Sequence, residues 1–150
     1  MRNAGEIASA VGKGLFAGAA GTVFMTISST IEAKLTDRGP SSAPADAAGK
    51  VLGVQPRDEK GQARFSNAVH WGYGTGWGAV RGLIGLSEPS MPAATGAHFA
   101  AVWGSSLVML PALDVAPAPW KQPASGLATD ALHHMVYAVG TSVAYALIDS

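Results

Sequence analysis

Two adjacent histidines, His133 and His134, follow Asp130 by three and four residues, and Tyr137 and Thr141 come after them. On a helix advancing about 100° per residue, Asp130, His134, Tyr137 and Thr141 share one stripe, with His133 displaced by roughly a third of a turn. A carboxylate one turn from an imidazole accepts its N–H, fixes its tautomer and raises its basicity. That arrangement serves metal ligation and proton exchange equally well. Glu32 and His70 join this group by depth, as set out below, and Thr22, Met25, Ser29 and Glu32 form a second, weaker polar line.

Three kinds of chemistry fit such a set. His70 with His134, or with His133, supplies two imidazoles from separate helices, enough to ligate a haem or related tetrapyrrole flanked by Trp71 and Tyr137. Glu32, His70, Asp130 and His134 also suit a hydrated vestibule for a proton-linked transport or channel subunit. The plainest role is structural, with each imidazole satisfied by a carbonyl or hydroxyl of a neighbouring helix. No catalytic residue is assigned and no metal set is expected. The chain lacks a Gly-x-Ser-x-Gly elbow, a phosphate-binding loop, a His-Glu-x-x-His pair and any cysteine.

The elements that must carry these residues are set by charge spacing. Four runs are almost free of charge: Gly14 to Ile31, Phe65 to Val80 and on past Arg81 to Leu86, Pro89 to Leu113, and Ala131 to Ile148. About 20 apolar residues at roughly 1.5 Å each cover a hydrocarbon core of about 30 Å. The sequence therefore predicts an all-α integral membrane bundle of four transmembrane helices in two hairpins. It is a single domain over residues 1–150, with spans over 12–34, 66–86, 92–113 and 127–148. Charged residues make up 13% of the chain, about half the share usual in soluble domains. A soluble Gly/Ala-rich helical domain is the competing reading, but the third run leaves too little polar surface to face water. Arg2 and Lys13 before a small-residue apolar run resemble a secretory signal, yet three later spans favour an uncleaved first helix. A formal net charge of zero argues against a nucleic-acid surface.

Chain direction then fixes depth. The first span ends at Glu32, the second begins before His70, and the fourth begins near Asp130, so these groups and His133 and His134 lie toward one membrane face. His98 enters the third span from the opposite side and is expected in the other leaflet, away from them. Arg81 is expected to snorkel.

The polar loop 36–64 carries Pro40, Pro44 and Pro56, and its Ala45 to Leu52 stretch predicts a short interfacial helix sharing Ala47, Ala48, Val51 and Leu52 on one face. Ser87 to Pro92 reads as a tight turn between antiparallel neighbours, and Trp120 with Lys121 suits the headgroup layer. Lys34, Arg38, Lys50, Arg57, Lys60, Arg64 and Lys121 fall on one side; Arg2, Lys13 and Arg81 fall on the other. The positive-inside rule places the first and third connections in the cytoplasm and both termini outside.

Helices in lipid associate through close backbone approach between small residues. Gly14, Gly18 and Thr22 in the first span, Gly74, Gly78 and Gly82 in the second, and Gly96, Ala100 and Gly104 in the third have small-xxx-small spacing. Packing within one bundle is the first expectation for these stripes, and Gly72 and Gly76 are the positions best placed to dock another subunit. Pro111 should end or kink the third span.

Gly18 to Gly21, Glu32 with Leu35, Arg38 and Pro40, and His70-Trp71-Gly72-Tyr73-Gly74 running into Trp77 to Leu83 form a recurring pattern. Trp103-Gly104, Leu110-Pro111, Pro117, Pro119, Asp130-Ala131-Leu132-His133-His134, Tyr137 and Gly140 continue it. Together they resemble the YagU-like family of small bacterial inner-membrane proteins of unknown function. The family pattern carries an aromatic or small residue where Arg81 stands here. The resemblance implies a multi-pass protein of the bacterial plasma membrane and supplies no reaction. The sequence thus points first to a non-enzymatic accessory or structural subunit, or a homo-oligomer, whose partners are the bilayer and other membrane subunits or itself. A His-ligated tetrapyrrole protein comes second and a proton-linked transport subunit third.

Overall fold

The computed structural model describes residues 3–37, 39 and 41–150. Arg2, Arg38 and Pro40, which enter the charge count or the family pattern above, lie outside the described residues. Among those described, five α-helices and no strand are present: α1 (Ala4–Thr36), α2 (Ala43–Leu52), α3 (Glu59–Gly85), α4 (Met91–Ala112) and α5 (Ala124–Asp149), with a short 3-10 turn at Pro119–Lys121 before α5.

Each boundary has a local cause. Asn3 accepts from the Glu6 backbone while Glu6 reaches back to the Asn3 N–H, closing a capping box at the start of α1. Gly53, at φ 67°, ends α2, and Asp58 caps α3 by accepting from Gly61 N at 2.6 Å. Pro111 lies in the last turn of α4, which stops at Ala112. The helix α3 begins well before the expected 66, because its Asp58 cap recruits the polar Glu59 to Arg64 segment as a first two turns.

Three helices, α1, α4 and α5, are long and apolar enough to cross a membrane, in keeping with a membrane protein. The helix α3 has the length at 27 residues, but Gly, Thr, His, Tyr and Arg81 dilute its apolar content below theirs. Its glycines are informative about solvent. Each costs about 1 kcal/mol relative to Ala in a water-exposed helix. Where backbone polar groups cannot reach water, the helix is held by its own hydrogen bonds and glycine gains by letting another backbone approach.

The glycine contacts fix the arrangement. Gly14 and Gly18 of α1 lie against Gly78 and Gly74 of α3, and Gly82 lies against the Ala10 carbonyl. A methyl on Gly18 would come within 2.7 Å of the Gly78 Cα, so the two backbones are in direct contact. On its other flank α1 meets α5, with Gly21 against Thr141 and Gly140 against the Phe24 ring. These pairs run antiparallel, as do the α4–α5 pairs His98 with Tyr137 and Trp103 with Asp130. The helices α1 and α4 are therefore parallel, and α3 and α5 run back between them.

One packing expectation is corrected. Gly96 and Gly104 do not pack inside the bundle: a Cβ on either would meet nothing within 4 Å, because α4 presents the face carrying His98, Val102 and Ser106 inward instead. In α2, Ala45, Ala47 and Gly49 are the buried residues, while Val51 and Leu52 stand exposed. Lys50 Nζ holds α2 in place by donating to the carbonyls of Leu113 and Asp114 at 2.6 and 3.0 Å, capping the end of α4.

Candidate functional site

The polar residues singled out in the sequence occupy three separate settings. At the α2 end, between α1 and α5, Ser28 Oγ lies 2.8 Å from His133 Nδ1, and Glu32 Oε2 lies 3.8 Å from His133 Nε2. The second distance is within ion-pair reach and beyond a hydrogen bond. On the α4 side of α5, Asp130 Oδ2 accepts from Trp103 Nε1 at 2.8 Å. His134 Nδ1 sits 2.8 Å from the Asp130 carbonyl and 3.4 Å from its carboxylate. Between α1 and α3, His70 Nε2 lies 2.8 Å from Thr26 Oγ1, which itself donates to the Thr22 carbonyl.

The expected Glu32, His70, Asp130, His134 and Tyr137 cluster is thus distributed around α5 and α1. Asp130 does reach His134 one turn later, as its spacing indicated. The displaced histidine, His133, carries the contact to Glu32, and the two histidine side chains are buried to almost the same extent. The three candidate cofactor ligands face different neighbours: His70 toward α1, His133 toward α1 from the other flank, and His134 toward the α4 side. The structure does not bring His70 and His134 to a common face. Among the described residues, no three His, Asp or Glu side chains group as a metal would require.

Deeper in, a further polar layer forms that spacing alone did not assemble. Tyr137 donates its hydroxyl to the Gly74 carbonyl at 2.5 Å. His98 is fully buried, with Nε2 at 3.0 Å from the Trp77 carbonyl and its ring centroid 5.5 Å from that of Tyr137. His98 thus meets Tyr137 and the Trp77 carbonyl, and not the five groups it was expected to lie apart from. Starting at the opposite end, α4 carries it about two turns inward, to the level of Tyr137. Arg81 does not snorkel: it is 5% exposed, donates from Nε to Ser142 Oγ at 3.0 Å and lies 4.6 Å over the Tyr145 ring. The neighbouring Gly82 brings α3 so close to α1 that Arg81 is turned toward α5.

The sequence did hold a signal for this layer. His133, Tyr137, Thr141, Tyr145 and Asp149 recur every four residues, the first four along the inward side of α5 and Asp149 exposed at its end. Two grooves are found at the ends of the bundle. One of about 300 Å³ is lined by Asp46, Lys50, Gln62, Phe65 and Asp114, and one of about 430 Å³ by Glu6, Lys13, Gly85, Tyr145 and Asp149. Neither is lined by His70, His133 or His134. Compared with family models, curated proteins and solved structures, the chain shows no match.

Proposed function

We propose that this chain is a four-span protein of the bacterial plasma membrane that acts without catalysis, as a structural or accessory subunit or as a homo-oligomer. The fourth crossing follows from direction. If α1 and α4 both cross the bilayer and run parallel, the chain between them must return through it, and α3 is the segment that runs that way. The YagU-like pattern is in keeping with the same membrane and topology.

The observation that carries the assembly reading is the contrast between two sets of glycines. Gly14, Gly18, Gly74, Gly78 and Gly82 are consumed by contacts within the bundle. Gly72 and Gly76 on α3, and Gly96 and Gly104 on α4, have open space where a side chain would stand. Small residues facing lipid gain nothing from lipid, whereas they gain close van der Waals packing from another helix. The imidazoles favour the same reading, because a hydroxyl or carbonyl of an adjoining helix takes one nitrogen of His70, His133 and His98, and the Asp130 carbonyl of α5 itself takes one of His134.

Native mass spectrometry of the protein extracted gently with its own lipids tests the proposal. A defined oligomer or a stoichiometric membrane partner is expected, and the assembly should dissociate when Gly72 and Gly96 are replaced by Leu. A monomer without partners, recovered from its native membrane, would overturn it.

A further inference from the structure

The inward side of α5 is polar along most of its length. From His133 to Asp149 the stripe His133, Tyr137, Thr141, Tyr145, Asp149 covers about 24 Å of helix rise. Its first four members are 9%, 2%, 0% and 6% exposed. A membrane helix that buries such a face against its neighbours is the usual setting of an ion or proton path. A second observation is independent of spacing. The buried side-chain atoms without a hydrogen-bond partner among the described residues are Nε2 of His133, Oγ1 of Thr141, Nδ1 of His98 and Nη1 of Arg81. All of them belong to this stripe or to a ring stacked on it, since His98 packs on Tyr137 and Arg81 on Tyr145. Charged groups stand at its two ends: Glu32 beside His133, and Lys13 paired with Asp149 at 2.7 Å.

We propose that this face of α5 is a proton-conducting seam held shut by the guanidinium of Arg81. The inference does not depend on the assembly reading above. His133 with its proton on Nδ1 donates to Ser28 and turns the Nε2 lone pair toward Glu32, so a proton taken up at Nε2 is matched by release of the Nδ1 proton to Ser28 Oγ. Tyr137 and Thr141 follow with hydroxyls that both donate and accept. His98 donates Nε2–H to the Trp77 carbonyl, so its Nδ1 is the open acceptor. Beyond this point a fixed cation bars the way, and a proton approaching it meets like charge in a medium that screens poorly.

The other charged and titratable groups leave that barrier in place. From α1 come Glu32, Lys13 and, in the groove beside Tyr145 and Asp149, Glu6; Glu88 joins that groove from the turn after α3, and α3 itself brings Arg81, Tyr73 and His70, the last held by Thr26. The helix α4 contributes only His98, and on α5 Asp130 and His134 turn to the α4 side. Asp149, the carboxylate nearest Arg81 along the stripe, is held by Lys13.

The test uses the full chain in phosphatidylethanolamine–phosphatidylglycerol vesicles loaded with a pH-sensitive dye, with a potassium gradient and valinomycin driving proton entry. Wild-type vesicles should match protein-free ones, Arg81→Gln should raise the flux at least tenfold, and Arg81→Lys should stay tight. Adding Tyr137→Phe or Thr141→Val to Arg81→Gln should return the flux to baseline. Lys13 is partly exposed at the end of the bundle, so Lys13→Ala serves where Arg81→Gln does not fold. It releases Asp149 to offset the Arg81 charge and should raise the flux severalfold. Baseline flux in Lys13→Ala and in any folded Arg81→Gln overturns the proposal, as does wild-type flux equal to that of Arg81→Gln or a leak that survives Thr141→Val.

Discussion

Arg81 differs from where single-residue reasoning puts it, and the reason is helix rotation. A long cationic side chain near a helix end is free to snorkel only if its Cβ points outward. Here Gly78 and Gly82 press α3 onto α1 and rotate Arg81 into the interior beside Ser142 and Tyr145. The Asp130–His134 contact needed no such information, because it is local and follows from one helical turn. His133 with Glu32 and Ser28 required the pairing of α1 with α5, which residue types do not encode. Tyr137 offers a direct measure of one buried bond. Tyr137→Phe keeps the ring on His98 and removes the hydroxyl donated to Gly74, so it should cost about 1 kcal/mol. Reversible unfolding in mixed micelles reads this, and a loss well above that figure would mean the hydroxyl does more than hold α3 to α5.

At the scale of helices, glycine position separates contacts made from contacts still open. Gly78→Leu must push α1 and α3 apart and should abolish the fold or cost at least about 3 kcal/mol, overpacking of a backbone contact being at the severe end of its range. Gly96→Leu adds its side chain to open space and should leave stability within about 0.5 kcal/mol of wild type. Thermal unfolding in detergent compares the two, and equal losses would contradict the interface described for α1 and α3. The spacing in sequence is the same in both stripes. What distinguishes them is which face of each helix the bundle happens to use, and for α4 that is the His98–Val102–Ser106 face. The short helix α2 is a similar case: its existence was legible from residues 45–52, while its docking through Lys50 onto the α4 carbonyls was not. Lys50→Ala should speed amide exchange across α2 severalfold without changing exchange in α1 or α3.

For the whole molecule the decisive question is the crossing of α3. The chain has no cysteine, so single cysteines can be placed at will and probed with a membrane-impermeant thiol reagent. Cysteines at Ser41 and Gln122 should label from one side of sealed vesicles, and those at Glu88 and Ser150 from the other. Labelling of Ser41 and Glu88 from the same side would leave α3 outside the bilayer, resting against α1, and would remove the four-span proposal.

Apolar runs of about 20 residues, their separation by charged or Pro-rich segments, and the one-turn spacing of Asp130 with His134 were determined by the sequence alone, because solvent exclusion and helix periodicity are local properties. Which glycines touch, which histidine meets Glu32 and where Arg81 points were decided only by tertiary structure. Those outcomes depend on the rotation of each helix about its axis, and that rotation is set by the backbone-to-backbone contacts of α1 with α3 and α5.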